Sequence, residues 1–255
     1  MSRIKELFQK KQKNILNVYC TAGFPKLDST IDVIEALQEN GADLIEIGMP
    51  YSDPLADGEV IQQSSSVALQ NGMNIKTLFE QLAQVETNAP IILMGYMNPV
   101  LQYGFTKFCA TAAEVGVDAL ILPDLPIYEY ENEFGPIIKA FGLDFIFLVT
   151  PDTSEERIRK IDSLSTGFIY AVSSTATTGH TKDISQQESY FQRLQDMQLQ
   201  NPVLVGFGIK DRSTFEAACR YTNGAIIGSA YINALSKAGD VKEETIKFLG
   251  KIFEP

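Results

Sequence analysis

GADLIEIG, residues 41–48, contains the pattern that says most about the fold. A glycine ends the amphipathic stretch 28–40, and a short apolar run begins three residues later. Glycine is common just after a helix because it adopts the left-handed conformation without a Cβ clash. GVD at residues 116–118 repeats this junction, and Gly142 precedes another apolar run. The pattern predicts helices that end at glycine and lead directly into buried strands.

Eight short apolar runs of this kind recur along the chain, and most lack polar alternation, as is typical of parallel strands covered on both faces. They are residues 16–22, 44–48, 91–96, 119–122, 145–150, 168–173, 203–206 and 225–229. Amphipathic stretches between them predict helices at 28–40, 106–115, 128–141, 154–163 and 213–221. No long low-complexity linker interrupts the alternation, which favours one (β/α)₈ barrel domain spanning residues 1–255. An open eight-stranded sheet is the alternative. Residues 4–12 predict an extra N-terminal helix that plugs the barrel floor.

Composition narrows the function classes. The 255 residues carry 21 Lys and Arg against 32 Asp and Glu, a formal net charge of -11, which disfavours nucleic acid and anionic membranes as partners. Cys20, Cys109 and Cys219 are too few for a disulfide framework or a metal knuckle, and they fit a reducing cytoplasm. The apolar run after residue 14 is too short for a signal peptide or a membrane span.

Glu46 stands inside an otherwise apolar strand at residues 44–48. A buried carboxyl has a raised pKa and becomes able to give and take a proton near neutral pH. The alternative is a structural glutamate satisfied by the backbone or by a tyrosine hydroxyl. The loop that follows, YSDPLADGE at 51–59, contains two more acids. Asp53 before a proline is a natural turn initiator, and Asp57 is either a functional acid or the N-cap of a helix beginning near Val60.

Glycines and small residues follow the last three predicted strands, in SSTATTGH at 173–180, GFGIK at 206–210 and IGSA at 227–230. Such turns let backbone N–H groups approach an anion, and barrels often bind phosphate after strands 7 and 8. Each motif alone is ordinary turn chemistry, but together they indicate a phosphate site. Lys210 is either a further phosphate contact or simply solvated. His180 is the only histidine, which excludes a histidine triad or a histidine metal cluster and favours a surface loop residue.

The run EIGMPYSDPLADG at 46–58 resembles the signature of the tryptophan synthase α subunit family. TAGFP at 21–25, MGYMNP at 94–99 and PDLP at 123–126 extend the resemblance over essentially the whole chain. It implies a single-domain TIM barrel and a lyase of tryptophan biosynthesis. The implied reaction is retro-aldol cleavage of indole-3-glycerol phosphate to indole and glyceraldehyde 3-phosphate.

The resemblance also implies roles for particular residues. Glu46 is then the general acid and base, and Asp57 is the second catalytic carboxylate. The implied phosphate contacts are Gly179, Gly208, Gly228 and Ser229. Tyr170 and Thr178 are the implied neighbours of the substrate and of the strand 2 acid.

Two positions depart from the family pattern. Glu59 stands where the family usually has proline, which removes a fixed φ from the catalytic loop. Ala176 stands where many relatives have glycine. Both changes concern the stiffness and closure of loops, and neither removes a group that the chemistry requires.

The resemblance implies a β subunit as partner in an α₂β₂ heterotetramer, with pyridoxal phosphate in the β subunit and no cofactor in this chain. Positions consistent with that contact face are Pro54, Asn98, Tyr103, Asp124 and Pro126, although each also reads as ordinary loop structure. Three alternatives are a phosphosugar isomerase, an α-like protein that only binds and activates the β subunit, and a standalone lyase that releases indole. The strand 2 signature argues against the first, and retention of Glu46 and Asp57 argues against the second.

Overall fold

Residues 2–172, 184–206 and 208–253 are described by the structure, a computed structural model. Nine parallel strands occur in this part of the chain, and their order in the sheet is β5-β4-β3-β2-β1-β9-β8-β7-β6. They are β1 Ile15–Thr21, β2 Leu44–Gly48, β3 Ile91–Met94, β4 Val117–Ile121, β5 Asp144–Phe145, β6 Leu148–Val149, β7 Ile169–Val172, β8 Val203–Gly206 and β9 Gly224–Ile227.

The sheet closes through the run predicted as the fifth strand. This run is split into β5, which pairs with β4, and β6, which pairs with β7. Between them the Ile146 backbone N–H donates to Leu120 O at 3.0 Å, and Phe147 O accepts from the Tyr170 N–H at 3.0 Å. One continuous segment therefore joins both ends of the sheet. The predicted barrel is confirmed and the open sheet is wrong, while the single strand predicted over 145–150 is two short pieces because each turns to a different neighbour.

Helices alternate with the strands, and those after β1 surround the barrel, whereas α1 lies across its floor. They are α1 Arg3–Lys10, α2 Ser29–Glu39, α3 Glu59–Gln70, α4 Ile75–Leu82, α5 Met97–Tyr103, α6 Phe105–Glu114, α7 Ile127–Glu129, α8 Gly135–Ala140, α9 Glu155–Leu164, α10 Ile184–Asp196, α11 Arg212–Tyr221, α12 Ser229–Leu235 and α13 Val241–Phe253. The helix predicted over 128–141 is α7 and α8 joined by a π-helical turn, Tyr130–Phe134. None of the helices in the described ranges is long and apolar enough to cross a membrane.

The floor of the barrel is closed by α1, as predicted. Ile4 is fully buried and Phe8 nearly so, and both join a cluster of residues inside the barrel that includes Ile15 and Leu44. The ring centroids of Phe8 and Phe168 lie 6.2 Å apart. With this end filled by apolar side chains, the opposite end, where the strands have their carboxyl termini, is left for polar groups.

Candidate active site

Glu46 lies in the third position of β2 and is 0% exposed. Its neighbours in register are Tyr19 on β1 and Ile92 on β3. Two residues further on, β2 ends at Gly48 and the chain enters the 49–58 loop. Strand pairing therefore holds this carboxyl inside the barrel near its carboxyl-terminal end, where barrel enzymes place their reacting groups.

Asn17 satisfies one oxygen of this buried carboxyl. The Asn17 Nδ2 amide donates to Glu46 Oε2 at 2.7 Å, and the asparagine is itself fully buried. Among the described residues, nothing donates a hydrogen bond to Glu46 Oε1. The backbone or tyrosine hydroxyl proposed as the structural alternative is therefore not the partner. Sequence reasoning missed Asn17, although an amide inside the apolar run ILNVYCT was a signal that could have indicated it.

Burial controls the protonation of Glu46. Removal from water raises the pKa of this carboxyl to about 8, against the effect of the Asn17 hydrogen bond, which lowers it, and with a further rise from the nearby charge of Asp57. With a pKa near 8, Glu46 can be both the neutral acid and the anion close to neutral pH. A residue that first gives a proton and then takes one back requires both forms.

Two tyrosines lie beside Glu46, and each occupies space left by a glycine at a strand end. A Cβ on Gly48 would collide with the Tyr19 hydroxyl, and a Cβ on Gly206 would collide with the Tyr170 hydroxyl. Burial raises the pKa of both tyrosines well above the usual value, and the charge of Glu46 adds to this rise. Both hydroxyls therefore stay protonated at neutral pH. Tyr170 lies near the strand 2 acid, where the sequence analysis places it.

Asp57 is half-buried in the loop between β2 and α3. The N-cap of α3 is Gly58, and no side chain caps this helix, so the N-cap interpretation of Asp57 is wrong. Burial raises the pKa of Asp57, and the Tyr96 hydroxyl partly lowers it. The same hydroxyl accepts a hydrogen bond from the Ala56 N–H at 3.2 Å, which ties the loop to the turn after β3. The Asp57 carboxyl therefore interacts with both Tyr96 and Glu46, and it does not cap α3.

The predicted phosphate contacts are described only in part. Gly208 has a φ of +62°, a left-handed conformation that favours glycine, and it is exposed. Gly228 precedes α12, whose first residue, Ser229, is exposed, and a Cβ on Gly228 would lie 3.6 Å from Tyr19 Cβ. Gly228 thus lies on the Tyr19 side of the barrel mouth. Thr178, Gly179, Ala176 and His180 fall outside the described residues.

Comparison with known proteins decides the family. A sequence model described as "Tryptophan synthase alpha chain" matches residues 5–252. The chain belongs to this family. It is similar to the tryptophan synthase alpha chain of Flavobacterium johnsoniae, with 50% identity over 99% of this chain and 100% of the relative. That of Bacteroides thetaiotaomicron is 47% identical over 97% of this chain and 98% of the relative. The crystal structure of the α subunit from Legionella pneumophila superposes with a TM-score of 0.90 at 30% identity, covering 99% of this chain and 97% of that one.

Membership of the tryptophan synthase α family gives the reaction. The chain is a carbon–carbon lyase of tryptophan biosynthesis that cleaves indole-3-glycerol phosphate to indole and glyceraldehyde 3-phosphate. The α chain needs no cofactor for this reaction, and pyridoxal phosphate belongs to the β subunit. The alternative of a phosphosugar isomerase is wrong.

The positions assigned to a contact face follow β2, β3 and β4, with Asn98 and Tyr103 in α5. Asp124 accepts hydrogen bonds from the Met97 N–H at 3.0 Å and so holds the start of α5, next to Asn98, whose amide donates to the Tyr51 hydroxyl at 2.9 Å. Tyr103 instead packs against Phe79 and Phe108. Three exposed side chains with large apolar parts in this region were not singled out from the sequence. They are Leu55, 76% exposed beside Pro54, Leu101, 50% exposed between Asn98 and Tyr103, and Tyr128, 73% exposed beyond Pro126.

Proposed function

We propose that Glu46 carries out both proton transfers in the cleavage of indole-3-glycerol phosphate. Protonated Glu46 gives its proton to indole C3, which creates a cationic indoleninium. The carboxylate so formed takes the proton of the hydroxyl on the adjoining glycerol carbon. The C–C bond then breaks, its electron pair restores the neutral indole, the C–O bond becomes the aldehyde of glyceraldehyde 3-phosphate, and Glu46 is protonated again.

The observation that carries this role is the difference in hydrogen bonding between the two carboxyl oxygens of Glu46. One oxygen is bound by Asn17, and the other, Oε1, accepts no hydrogen bond from any described residue although it is fully buried. A buried polar atom without a protein partner is costly, and such exceptions concentrate at functional sites. A pKa of about 8 supports the same role, because the acid is mostly protonated at neutral pH when the first step needs it.

Asp57 is the second catalytic carboxylate in this proposal. As an anion it accepts a hydrogen bond from the indole N–H and so stabilises the positive charge that grows when C3 is protonated. Its half-buried position supports the role, because a charge in a poorly solvated site acts more strongly on a neighbouring cation. The two carboxylates differ in role because their surroundings differ, one fully buried and mainly neutral, the other partly solvated.

The phosphate group binds at the loops after β8 and β9 in this proposal. Its contacts are the backbone of Gly208, Gly228 and Ser229, completed by Gly179, with Tyr170 and Thr178 beside the substrate. Support comes from the exposed left-handed turn at Gly208 and from the absence of any side chain at Gly228, which let N–H groups approach an anion. Backbone donors also suit a chain with a net charge of -11, because they bind a phosphate without a basic patch.

The role of Glu46 is tested by the variant Glu46→Gln, which keeps the shape and one hydrogen-bond acceptor but cannot transfer a proton. We expect indole release to fall by about 10² to 10⁴-fold with substrate binding largely intact. Release is followed from purified enzyme by single-turnover assay, and binding by calorimetry. Glu59→Gln, an exposed acid near the same loop, is the matched control. Wild-type turnover in Glu46→Gln would show that the assigned role is wrong.

We further propose that the partner is a β subunit in an α₂β₂ assembly. Similar solved structures include a tryptophan synthase from M. tuberculosis at 29% identity and a tryptophan synthase complex from Pyrococcus furiosus at 32% identity. The exposed Leu55 offers an apolar contact at the barrel mouth. Running the indole assay with and without a β subunit from the same source tests this, since a strong rise in rate supports coupled subunits and an unchanged rate supports the standalone lyase.

Two broader properties belong to the proposal. A single domain over residues 1–255 is supported by one continuous sheet and by the family match over 5–252. A cytoplasmic location is supported by three buried cysteines that are free thiols.

A further inference from the structure

The hydrogen bond between Asn17 and Glu46 leaves one atom of each group unused. Asn17 Nδ2 and Glu46 Oε2 are 2.7 Å apart, while Asn17 Oδ1 and Glu46 Oε1 have no hydrogen-bond partner within the described part of the chain. Both side chains are 0% exposed. The amide therefore has a buried acceptor whose position no described hydrogen bond fixes.

A carboxyl that cycles between acid and anion can keep one hydrogen bond in both states. The anion accepts hydrogen bonds at both oxygens, whereas the neutral acid donates from one oxygen and accepts at the other. When the proton is on Oε1, Oε2 is a carbonyl oxygen that still accepts from Asn17 Nδ2. The 2.7 Å hydrogen bond is therefore compatible with both protonation states and leaves Oε1 available for the proton.

We propose that Asn17 is a positioning residue that holds Glu46 through Oε2 in both protonation states and leaves Oε1 as the oxygen that exchanges protons with the substrate. This inference rests on the proposed function of Glu46. It assigns the two oxygens of one carboxyl to separate tasks, anchoring and reaction.

The effect of Asn17 on the pKa of Glu46 is opposite in sign to the effects of burial and of Asp57. Glu46 interacts electrostatically with Tyr19 and Cys20 on β1, with Tyr170 on β7 and with Asp57 in the loop. Burial and the charge of Asp57 both favour the neutral acid, and the Asn17 amide opposes them by donating to the anion. Loss of this donor therefore moves the titration of Glu46 in one direction, toward higher pH.

The experiment compares Asn17→Leu, an apolar side chain of similar shape, with Asn17→Asp, which when neutral keeps a donor and an acceptor. For Asn17→Leu we expect the falling limb of the pH profile of kcat/KM to move up by about one to two pH units, the equivalent of one hydrogen bond to a charged group. We expect kcat at the optimum to fall about tenfold or more, because the acid is less well oriented. KM should stay within about twofold. Asn17→Asp should recover part of kcat on the acidic side, where it is protonated.

Thr245→Val is the matched control, because it also removes a buried hydrogen bond, the 2.7 Å pair with Tyr231, but far along the chain from the acid. It should leave the pH profile unchanged. If Asn17→Leu does not fold, wild-type NMR provides the test, since the side-chain amide ¹⁵N signal of Asn17 should titrate with the same midpoint as the Glu46 carboxyl carbon.

An unmoved pH profile in Asn17→Leu overturns the inference, even if kcat falls, because a merely structural residue lowers activity without changing the titration. Independent midpoints for the two NMR signals overturn it as well. Glu46→Gln separates this failure from that of the proposed function. If Glu46→Gln is inactive, only the role of Asn17 is lost. If it is as active as wild type, the role of Glu46 fails first.

Discussion

Two glycines at strand ends make room for the tyrosines beside Glu46. Gly48 and Gly206 leave the space that the Tyr19 and Tyr170 hydroxyls occupy, which brings both rings beside the buried acid. Gly228 lies against the other side of Tyr19, so the same tyrosine separates the acid from the start of α12. A substitution that adds a Cβ at Gly48 or Gly206 therefore changes the surroundings of Glu46 without touching it.

The proposed phosphate site is testable at a single residue. Ser229→Asp adds a negative charge at the exposed first residue of α12. Repulsion of the substrate phosphate should raise KM for indole-3-glycerol phosphate about 10- to 100-fold and leave kcat nearly unchanged. Steady-state kinetics at low ionic strength measures the effect. Ser236→Asp places the same charge at the other end of α12 and should behave as wild type. Equal KM values for both variants would mean that the phosphate binds elsewhere.

At the scale of elements, α1 completes a barrel that the strands alone leave open. Its apolar side faces the barrel floor through Ile4 and Phe8. Its outer side is tied down by Arg3, whose Nε donates to Asp118 Oδ1 at 2.8 Å, next to the start of β4. The helix is capped by Ser2, whose hydroxyl accepts from the Lys5 N–H at 3.3 Å. The core of the barrel thus depends on an element that is not part of the strand and helix repeat.

Truncating the Ile4 side chain of α1 should destabilise the whole barrel. Ile4→Ala removes a fully buried side chain and leaves a cavity under the strands, which should cost about 2–5 kcal/mol of unfolding free energy. Urea denaturation followed by circular dichroism gives this value. Lys5→Ala, on the exposed side of the same helix, should change stability by less than about 0.5 kcal/mol. A loss in Ile4→Ala no larger than in this control would show that the floor is not part of the cooperative core.

At the scale of the whole molecule, the buried Glu46 carboxyl that serves catalysis makes stability depend on pH. The pKa of Glu46 is raised by burial from 4.5 to about 8, whereas the unfolded chain ionises near the ordinary value. Folding therefore holds a proton that the unfolded chain releases. The contribution of Glu46 to stability is fully present below its pKa in the unfolded chain. It is lost as the pH rises toward its pKa in the folded protein.

The effect of Glu46 ionisation on the free energy of unfolding should appear in unfolding experiments. Between about pH 4.5 and pH 8, Glu46 should reduce wild-type stability by about 1.4 kcal/mol per pH unit. In Glu46→Gln this contribution is absent, so the variant should gain stability relative to wild type as pH rises and the gain should level off above about pH 8. Chemical denaturation of both proteins across this range, with Glu59→Gln as reference, measures the difference. A difference that does not change with pH would place an ordinary pKa on Glu46.

Much of the architecture follows from short-range patterns. Seven of the eight apolar runs became a single strand, and the glycines predicted to end helices have φ values of +96° at Gly41, +83° at Gly116 and +74° at Gly142. The acid inside the second strand was also visible, because a charged residue in an apolar run is conspicuous without a structure. These features depend on neighbours a few residues away, so local order suffices to predict them.

Other features depend on residues that are distant in sequence, and only the folded chain shows them. The register of β1 against β2 puts Asn17 within reach of an acid 29 residues later. Gly58 is the N-cap of α3 and leaves Asp57 without a capping role, and barrel closure split one predicted strand into two. Sequence periodicity shows which side chains are buried. Which buried groups meet is decided by strand register and barrel closure, because these set distances between segments that no local pattern connects.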